Sequence, residues 1–140
     1  MRSFFCMDEI RAGIYHNRAL QLANAMQLCH DDIGSYAAAV GLLAIHSAIS
    51  FGDAVLMKLT GTRSRNRDHR KALDAINAAC KKSNIRPDGV KHLDRLVSAK
   101  TDVSYGDKEA DERTVQVLYI AAGRFQAWAE HVLKDEGRGL

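Results

Sequence analysis

The segment from Tyr36 to Leu59 is apolar or small on nearly every side of a helix, and it constrains the fold more than any other segment. Leu42, Ile45 and Ile49 begin a stripe with the spacing of three and four residues that is typical of a buried helical face. A second face, also apolar or small, needs cover as well; it comprises Val40, Leu43, Ser47, Ala54 and Val55. Such a helix lies at the centre of a bundle or is shared with a partner chain.

Four further segments show helical periodicity, and the sequence has no strand-like alternation. One covers about residues 8–29, before the central helix. A third helix is predicted to begin near Asn66, and Pro87, the single proline, opens a short fourth helix. The last carries apolar residues from Thr114 to Val132. These segments predict an all-α fold, a four- to five-helix up-and-down bundle, as one domain over residues 1–140.

The connections between these helices carry fewer signals. The segment from Thr101 to Lys108 is predicted to be a loop, and the C-terminal tail at 135–140 to be disordered. Four aromatic residues lie on helical stripes and are expected in the core: Tyr36, Tyr119, Phe125 and Trp128.

Composition argues against several classes of protein. The three cysteines are widely spaced and odd in number, which disfavours both a disulfide framework and a zinc site. No two histidines have a metal-binding helical spacing, and no glycine-rich phosphate loop is found. The first residues are too short an apolar run for a signal peptide, and the longest apolar run is a poor membrane span. We therefore expect a reduced, cytoplasmic protein without metal, cofactor or membrane contact.

Positive charge is concentrated between Lys58 and Lys71, which enclose six Lys or Arg residues and one acid, Asp68. The whole chain carries a formal charge of only +3, so the rest of it is slightly acidic. Crowded cations favour an anionic ligand, and Arg side chains match the oxygens of phosphate. The alternative is a solvated, Arg-rich loop that only keeps the protein soluble.

His69 follows this cationic segment, near the start of the third predicted helix. Free backbone N–H groups at a helix start favour a bound anion and disfavour a protonated imidazole. A neutral histidine beside Arg donors can act as the base or acid of phosphodiester cleavage, with Arg63 or Arg65 stabilising the phosphorane oxygens. The alternative is a structural histidine whose ring closes the apolar stripe of its helix.

Four other polar residues are candidates for a supporting role. His46 and Asp53 lie two turns apart on one face of the central helix, and Asp53 could orient an Arg or His69. Lys100 and Tyr105 could reach the same region if the fourth helix runs back across the second. The alternatives are a buried His46–Asp53 pair, a solvated Lys100, and a Tyr105 that packs its loop onto the bundle.

Three pieces of the sequence resemble the HEPN superfamily, named for higher eukaryotic and prokaryotic nucleotide binding. They are AIHSAISFGDAVL at 44–56, DHRKA at 68–72, and KTDVSY at 100–105, the last followed by the helix with Phe125 and Trp128. Their order and spacing are similar to those of compact bacterial members.

The resemblance implies a homodimeric helical bundle, and in many members a metal-independent endoribonuclease of a toxin or defence system. The family's motif is an Arg a few residues before a His, and two such motifs face each other across the dimer. Arg63 precedes His69 by five intervening residues, whereas Arg65 leaves only three. The resemblance thus gives three catalytic candidates and three phosphate-binding ones: His69, Arg63 and Arg65, then Arg67, Arg70 and Lys71.

The same resemblance sets the expected partners. We expect RNA and a second copy of the chain, with an antitoxin or another protein as a further candidate partner. Since non-catalytic members occur in the superfamily, the alternative is a dimeric module that binds RNA, a nucleotide or a protein without cleaving it.

Overall fold

The computed structural model describes residues 2–62 and 69–134, with side chains at residue 7 and over 9–62 and 70–134. Within these ranges the chain is helical and has no strand, which confirms the all-α bundle. The helices are α1 (Arg2–His30), α2 (Ile33–Thr60), α3 (His69–Lys82), α4 (Val90–Ser98), α5 (Lys100–Tyr105) and α6 (Glu112–Lys134). Because only Ala99 separates α4 from α5, the two form one broken arm, and the bundle has five helical units.

α2 is the central helix, as the sequence predicts. Val40, Ile45 and Phe51 are fully or almost fully buried among side chains of the neighbouring helices. By length and composition α2 could cross a membrane, but 72% of its most apolar window is buried inside the fold. That burial fits the core helix of a soluble bundle. α2 also finds its cover within one chain, so its pattern gives no reason to require a partner.

α1 and α6 both pack on α2 and are joined to each other by polar side chains. His16 Nε2 lies 3.4 Å from Glu130 Oε1, and His30 Nε2 lies 2.8 Å from Gln116 Oε1. As residue numbers rise along α1 they fall along α6, so the two helices are antiparallel. We call these polar contacts between α1 and α6 the α1–α6 seam. It also includes the hydrogen bond between Tyr119 and Gln27.

α4 and α5 run back along α2. Gly52 of α2 faces Leu93 of α4, and Gly41, eleven residues earlier, faces Val103 of α5. The numbers fall along α2 as they rise along α4 and α5, so these helices are antiparallel to α2. The start of α5 is thereby placed beside the middle of α2.

Two glycines shape the helix ends. Gly61 has a φ of 73° and ends α2 in the left-handed conformation, with its N–H bonded to the Met57 carbonyl. Gly89 precedes α4 where it meets α6, and a Cβ added there would lie 2.5 Å from Cγ of Trp128. The indole Nε1 of Trp128 donates to the Arg86 carbonyl at 3.0 Å. Gly89 therefore permits the close approach of α4 to α6.

Three sequence predictions need correction. The loop predicted from Thr101 to Lys108 is wrong over α5, a helix of modest helix formers with no buried residue and hence no apolar period. Tyr105 is 79% exposed and Tyr36 is 52% exposed, so neither packs into the core. Phe125 is fully buried, and Tyr119 and Trp128 pack against the core half-buried, as expected.

Candidate functional site

The predicted catalytic residues Arg63 and Arg65, and the phosphate-binding Arg67, lie outside the described residues, as does the tail at 135–140. His69 is described only as a backbone position, the first residue of α3. What the structure does describe is the surface that this backbone position adjoins.

Arg70, the residue after His69, ties the start of α3 to α4. Its Nη1 lies 3.5 Å from Asp94 Oδ1, and that carboxylate also accepts a hydrogen bond from Ser98 Oγ at 3.2 Å. The side chains of Arg70 and Asp94 are 71% and 47% exposed, so the pair adds only about 0–1 kcal/mol to stability. The pair shows that the start of α3 lies beside the middle of α4.

Lys100 lies near His46, because its charge acts on the pKa of that ring. Lys100 begins α5 two residues after Ser98, and α5 packs along α2. Partial burial of the ring, and then the ammonium of Lys100, lower the pKa of His46 below its ordinary 6.5. His46 is nevertheless exposed to solvent. An accessible imidazole is thus held in its neutral form near pH 7, where it can accept a proton.

These contacts define a candidate site made of Arg70, Asp94, Ser98, Lys100 and His46. It joins the start of α3, the end of α4, the start of α5 and the middle of α2. The sequence predicts that Lys100 approaches the region of His69, and the path through Arg70, Asp94 and Ser98 is consistent with that. Lys71, also exposed, follows Arg70 along α3.

The other two supporting candidates are Asp53 and Tyr105. Asp53 is half-buried, two turns beyond His46 on α2. The alternative of a buried His46–Asp53 pair is wrong for His46, because that ring is exposed. Tyr105 ends α5, about 7.5 Å along the helix axis from Lys100. Its ring extends into solvent rather than into the site.

Lys58, counted above among the six clustered cations, has a structural role. Its Nζ donates to the Val132 carbonyl at 3.2 Å and to the Leu133 carbonyl as well. A cation at the last turn of α6 satisfies carbonyls that the helix leaves open. Lys58 therefore fastens α2 to α6 and belongs to the fold.

Sequence reasoning missed a second cationic surface, which we call the α4–α6 patch. Lys91 and Arg95 of α4 and Arg124 of α6 surround the half-buried His92. Burial first, and then Lys91, Arg124 and Arg95, lower the pKa of His92. Only the spacing of Lys91 and Arg95 is visible in the sequence, since Arg124 comes from a distant helix.

Within the described ranges, no group of three or more His, Cys, Asp or Glu residues is arranged to hold a metal ion. No protein-family model matches the sequence, and a search of curated proteins finds no match. The likeness to the HEPN superfamily accordingly stays a prediction from the three sequence pieces.

Proposed function

We propose that this protein is a metal-independent endoribonuclease of the HEPN type, acting in the cytoplasm in a toxin or defence system. One observation supports this most. The start of α3, where the predicted catalytic His69 falls, adjoins a surface with an accessible neutral imidazole, His46, and an ammonium, Lys100. Imidazoles and cations are the groups that phosphodiester cleavage without metal needs.

Cleavage begins when the ribose 2′-hydroxyl attacks the adjacent phosphorus. A base takes the hydroxyl proton, the bond from phosphorus to the 5′-oxygen breaks, and an acid returns a proton to that oxygen. His69 is the proposed base or acid, and Arg63 or Arg65 stabilises the charge on the phosphorane oxygens. The products end in a 2′,3′-cyclic phosphate and a 5′-hydroxyl.

The described residues have supporting roles in this scheme. His46, being neutral, is the base that accepts the 2′-hydroxyl proton when His69 acts as the acid, and Lys100 adds positive charge beside the phosphorane. Arg70 and Lys71, with Arg67, hold neighbouring phosphates. Asp53 orients a cation, and Tyr105 contacts the strand at the far end of α5.

The test is cleavage of labelled single-stranded RNA, with and without chelator. His69→Ala should lower the rate about 10²- to 10⁴-fold, the range for a positioned proton-transfer group, and chelator should change nothing. Arg63→Ala and Arg65→Ala, assayed in parallel, identify the catalytic Arg. His131→Ala is the matched control, because His131 is exposed near the far end of α6.

Equal cleavage by the parent and by His69→Ala would contradict the proposal. Absence of cleavage by the parent over a broad RNA panel would favour the alternative. That alternative is a dimeric module that binds RNA, a nucleotide or a protein partner such as an antitoxin, without catalysis.

We also propose a homodimer. Because α2 is covered within one chain, we place the dimer contact on α1 instead. Met7, Ile10 and Ile14 expose 51%, 63% and 51% of their surface and follow one another at spacings of three and four residues. An apolar stripe of this kind favours association. Light scattering should give a dimer for the parent and a monomer for the double variant Ile10→Asp, Ile14→Asp. A parent that is monomeric at micromolar concentration would contradict this.

A further inference from the structure

The α4–α6 patch lies where two antiparallel helices meet. Gly89 contacts the ring of Trp128, and one turn along each helix brings His92 beside Arg124. Arg95 follows Lys91 by one turn on the outer surface of α4. Lys91, Arg95 and Arg124 are all exposed, so their charges face solvent around the half-buried ring of His92.

Charge is unbalanced at this patch. The nearby carboxylates are engaged elsewhere, since Asp88 lies 3.6 Å from Arg86 and Asp94 lies 3.5 Å from Arg70. Among the described residues, no carboxylate forms an ion pair with the three patch cations. Burial, and then the charges of Lys91, Arg124 and Arg95, lower the pKa of His92, which is the direction expected where cations are in excess. Like charges held together in this way favour an anionic ligand.

The groove between α3 and α4 is a useful contrast. It has a volume of about 320 Å³, and its charged lining comprises Arg70, Lys91, Asp74 and Asp94. Two cations are matched there by two carboxylates, which gives little net attraction for an anion. Lys91 lies at the edge shared by the groove and the patch, whereas Arg95 and Arg124 do not line the groove and have no carboxylate ion-paired with them among the described residues.

The patch is also close to the candidate site. Arg95 precedes Ser98 by three residues, which is about 4.5 Å along the axis of α4. Ser98 bonds to the carboxylate that holds Arg70. A single extended strand can therefore cross the patch and reach the candidate site.

We propose that the α4–α6 patch binds the phosphate backbone of an RNA strand outside the bond that is cut, through Lys91, Arg95 and Arg124. The proposal rests on the proposed function, because that function supplies RNA as the polyanion. Contacts to phosphate position a strand and carry no base specificity. The patch would therefore hold many sequences equally well and lengthen the bound segment beyond the reacting phosphate.

The test measures binding apart from cleavage. A fluorescent 2′-O-methyl oligoribonucleotide has no free 2′-hydroxyl, so it can bind but cannot be cut by the proposed route. Its affinity is measured by anisotropy over a range of salt for the parent and for the triple variant Lys91→Ala, Arg95→Ala, Arg124→Ala. The matched control is Lys81→Ala, Lys82→Ala, Lys108→Ala, which removes three exposed cations outside the patch.

Loss of three phosphate contacts should make the slope of log K against log salt shallower by about 2, since each contact to a single strand contributes roughly 0.7. The control variant should keep the parent slope. Equal slopes for the patch variant and the parent would overturn the patch and leave the proposed function standing. Failure of the parent to bind would also overturn the patch, while cleavage of ordinary RNA by the parent would still separately support the function. Binding of anionic vesicles through the patch, without RNA binding, would overturn it too.

Discussion

Two sides of this bundle each hold a pair of histidines, and the pairs differ in their surroundings. In the α1–α6 seam, His16 contacts Glu130, and His30 bonds to Gln116 while stacking on Tyr119 at a ring separation of 3.7 Å. On the α4 and α5 side, His46 faces Lys100, and His92 faces three cations.

The difference separates structural from functional histidines. Each seam histidine is bonded through its Nε2 to a side chain of α6, which helps to hold α1 and α6 together. A ring kept neutral by partial burial, and then by nearby cations, can accept a proton and lies where an anion is attracted. Because all four residues are histidines, only the residues around them distinguish the two pairs.

The largest expected effect is on catalysis and contrasts one histidine from each side. His46→Ala should lower the rate of RNA cleavage about 100-fold, the lower end of what a positioned proton-transfer group contributes. His30→Ala should leave the rate unchanged, since that ring lies in the seam. Initial rates with saturating labelled RNA measure both. A loss of rate in His30→Ala alone would reverse the assignment of the two sides.

The contact of α4 with α6 can be tested by adding one methyl group. Gly89→Ala places Cβ against the ring of Trp128 and should cost about 1–3 kcal/mol of unfolding free energy. Gly123→Ala on α6 is the control, because its Cβ would meet nothing within 4 Å and alanine favours a helix by about 0.5–1 kcal/mol. Urea unfolding of both variants gives the comparison. Equal stabilities would mean that α4 does not pack on Trp128 as described.

The seam predicts a smaller loss of stability. His30→Ala removes one hydrogen bond and one stacked ring contact, together worth about 1–2 kcal/mol. His131→Ala, at an exposed position, should change stability by less than about 0.5 kcal/mol. The urea midpoints of His30→Ala and His131→Ala measure the difference. Equal midpoints would show that His30 does not stabilise the fold.

The smallest effect is on the pH dependence of stability. The pKa values of His46 and His92 are lowered in the fold, so below their ordinary 6.5 the unfolded chain takes up protons before the folded one does. Stability from these two groups is therefore present above pH 6.5 and decreases as pH falls through that value. Between pH 7.5 and pH 5.5, about one unit on either side of 6.5, the urea midpoint of His92→Gln should change less than that of the parent. An unchanged dependence would mean that neither burial nor the cations lower the pKa of His92 in the fold.

Much of the fold could be predicted from apolar spacing, because a buried helical face repeats along the chain. The central position of α2 is an example. α5 could not be predicted in this way, since it buries no residue and leaves no period. The exposure of Tyr36 was missed because a stripe position does not reveal which helix covers it.

The site was only partly predictable for a related reason. His46 and Lys100 could be named as candidates, but their meeting depends on α5 turning back along α2. The α4–α6 patch depends on the antiparallel contact of two helices distant in sequence, so no local cluster of cations marks it. Lys58 shows the opposite error, since a residue within a cationic run serves a helix end.

The contrast between the two sides is tested most directly by NMR of the histidine rings. The ring resonances of His16, His30, His46 and His92 are followed through a pH titration, with and without the 2′-O-methyl oligoribonucleotide. Bound phosphates should raise the pKa of His92 and of His46, because they offset the cations that lower it. At any one pH, adding the oligoribonucleotide should leave the resonances of His16 and His30 unchanged. Movement of the seam histidines on RNA binding, with His46 and His92 unaffected, would contradict the account.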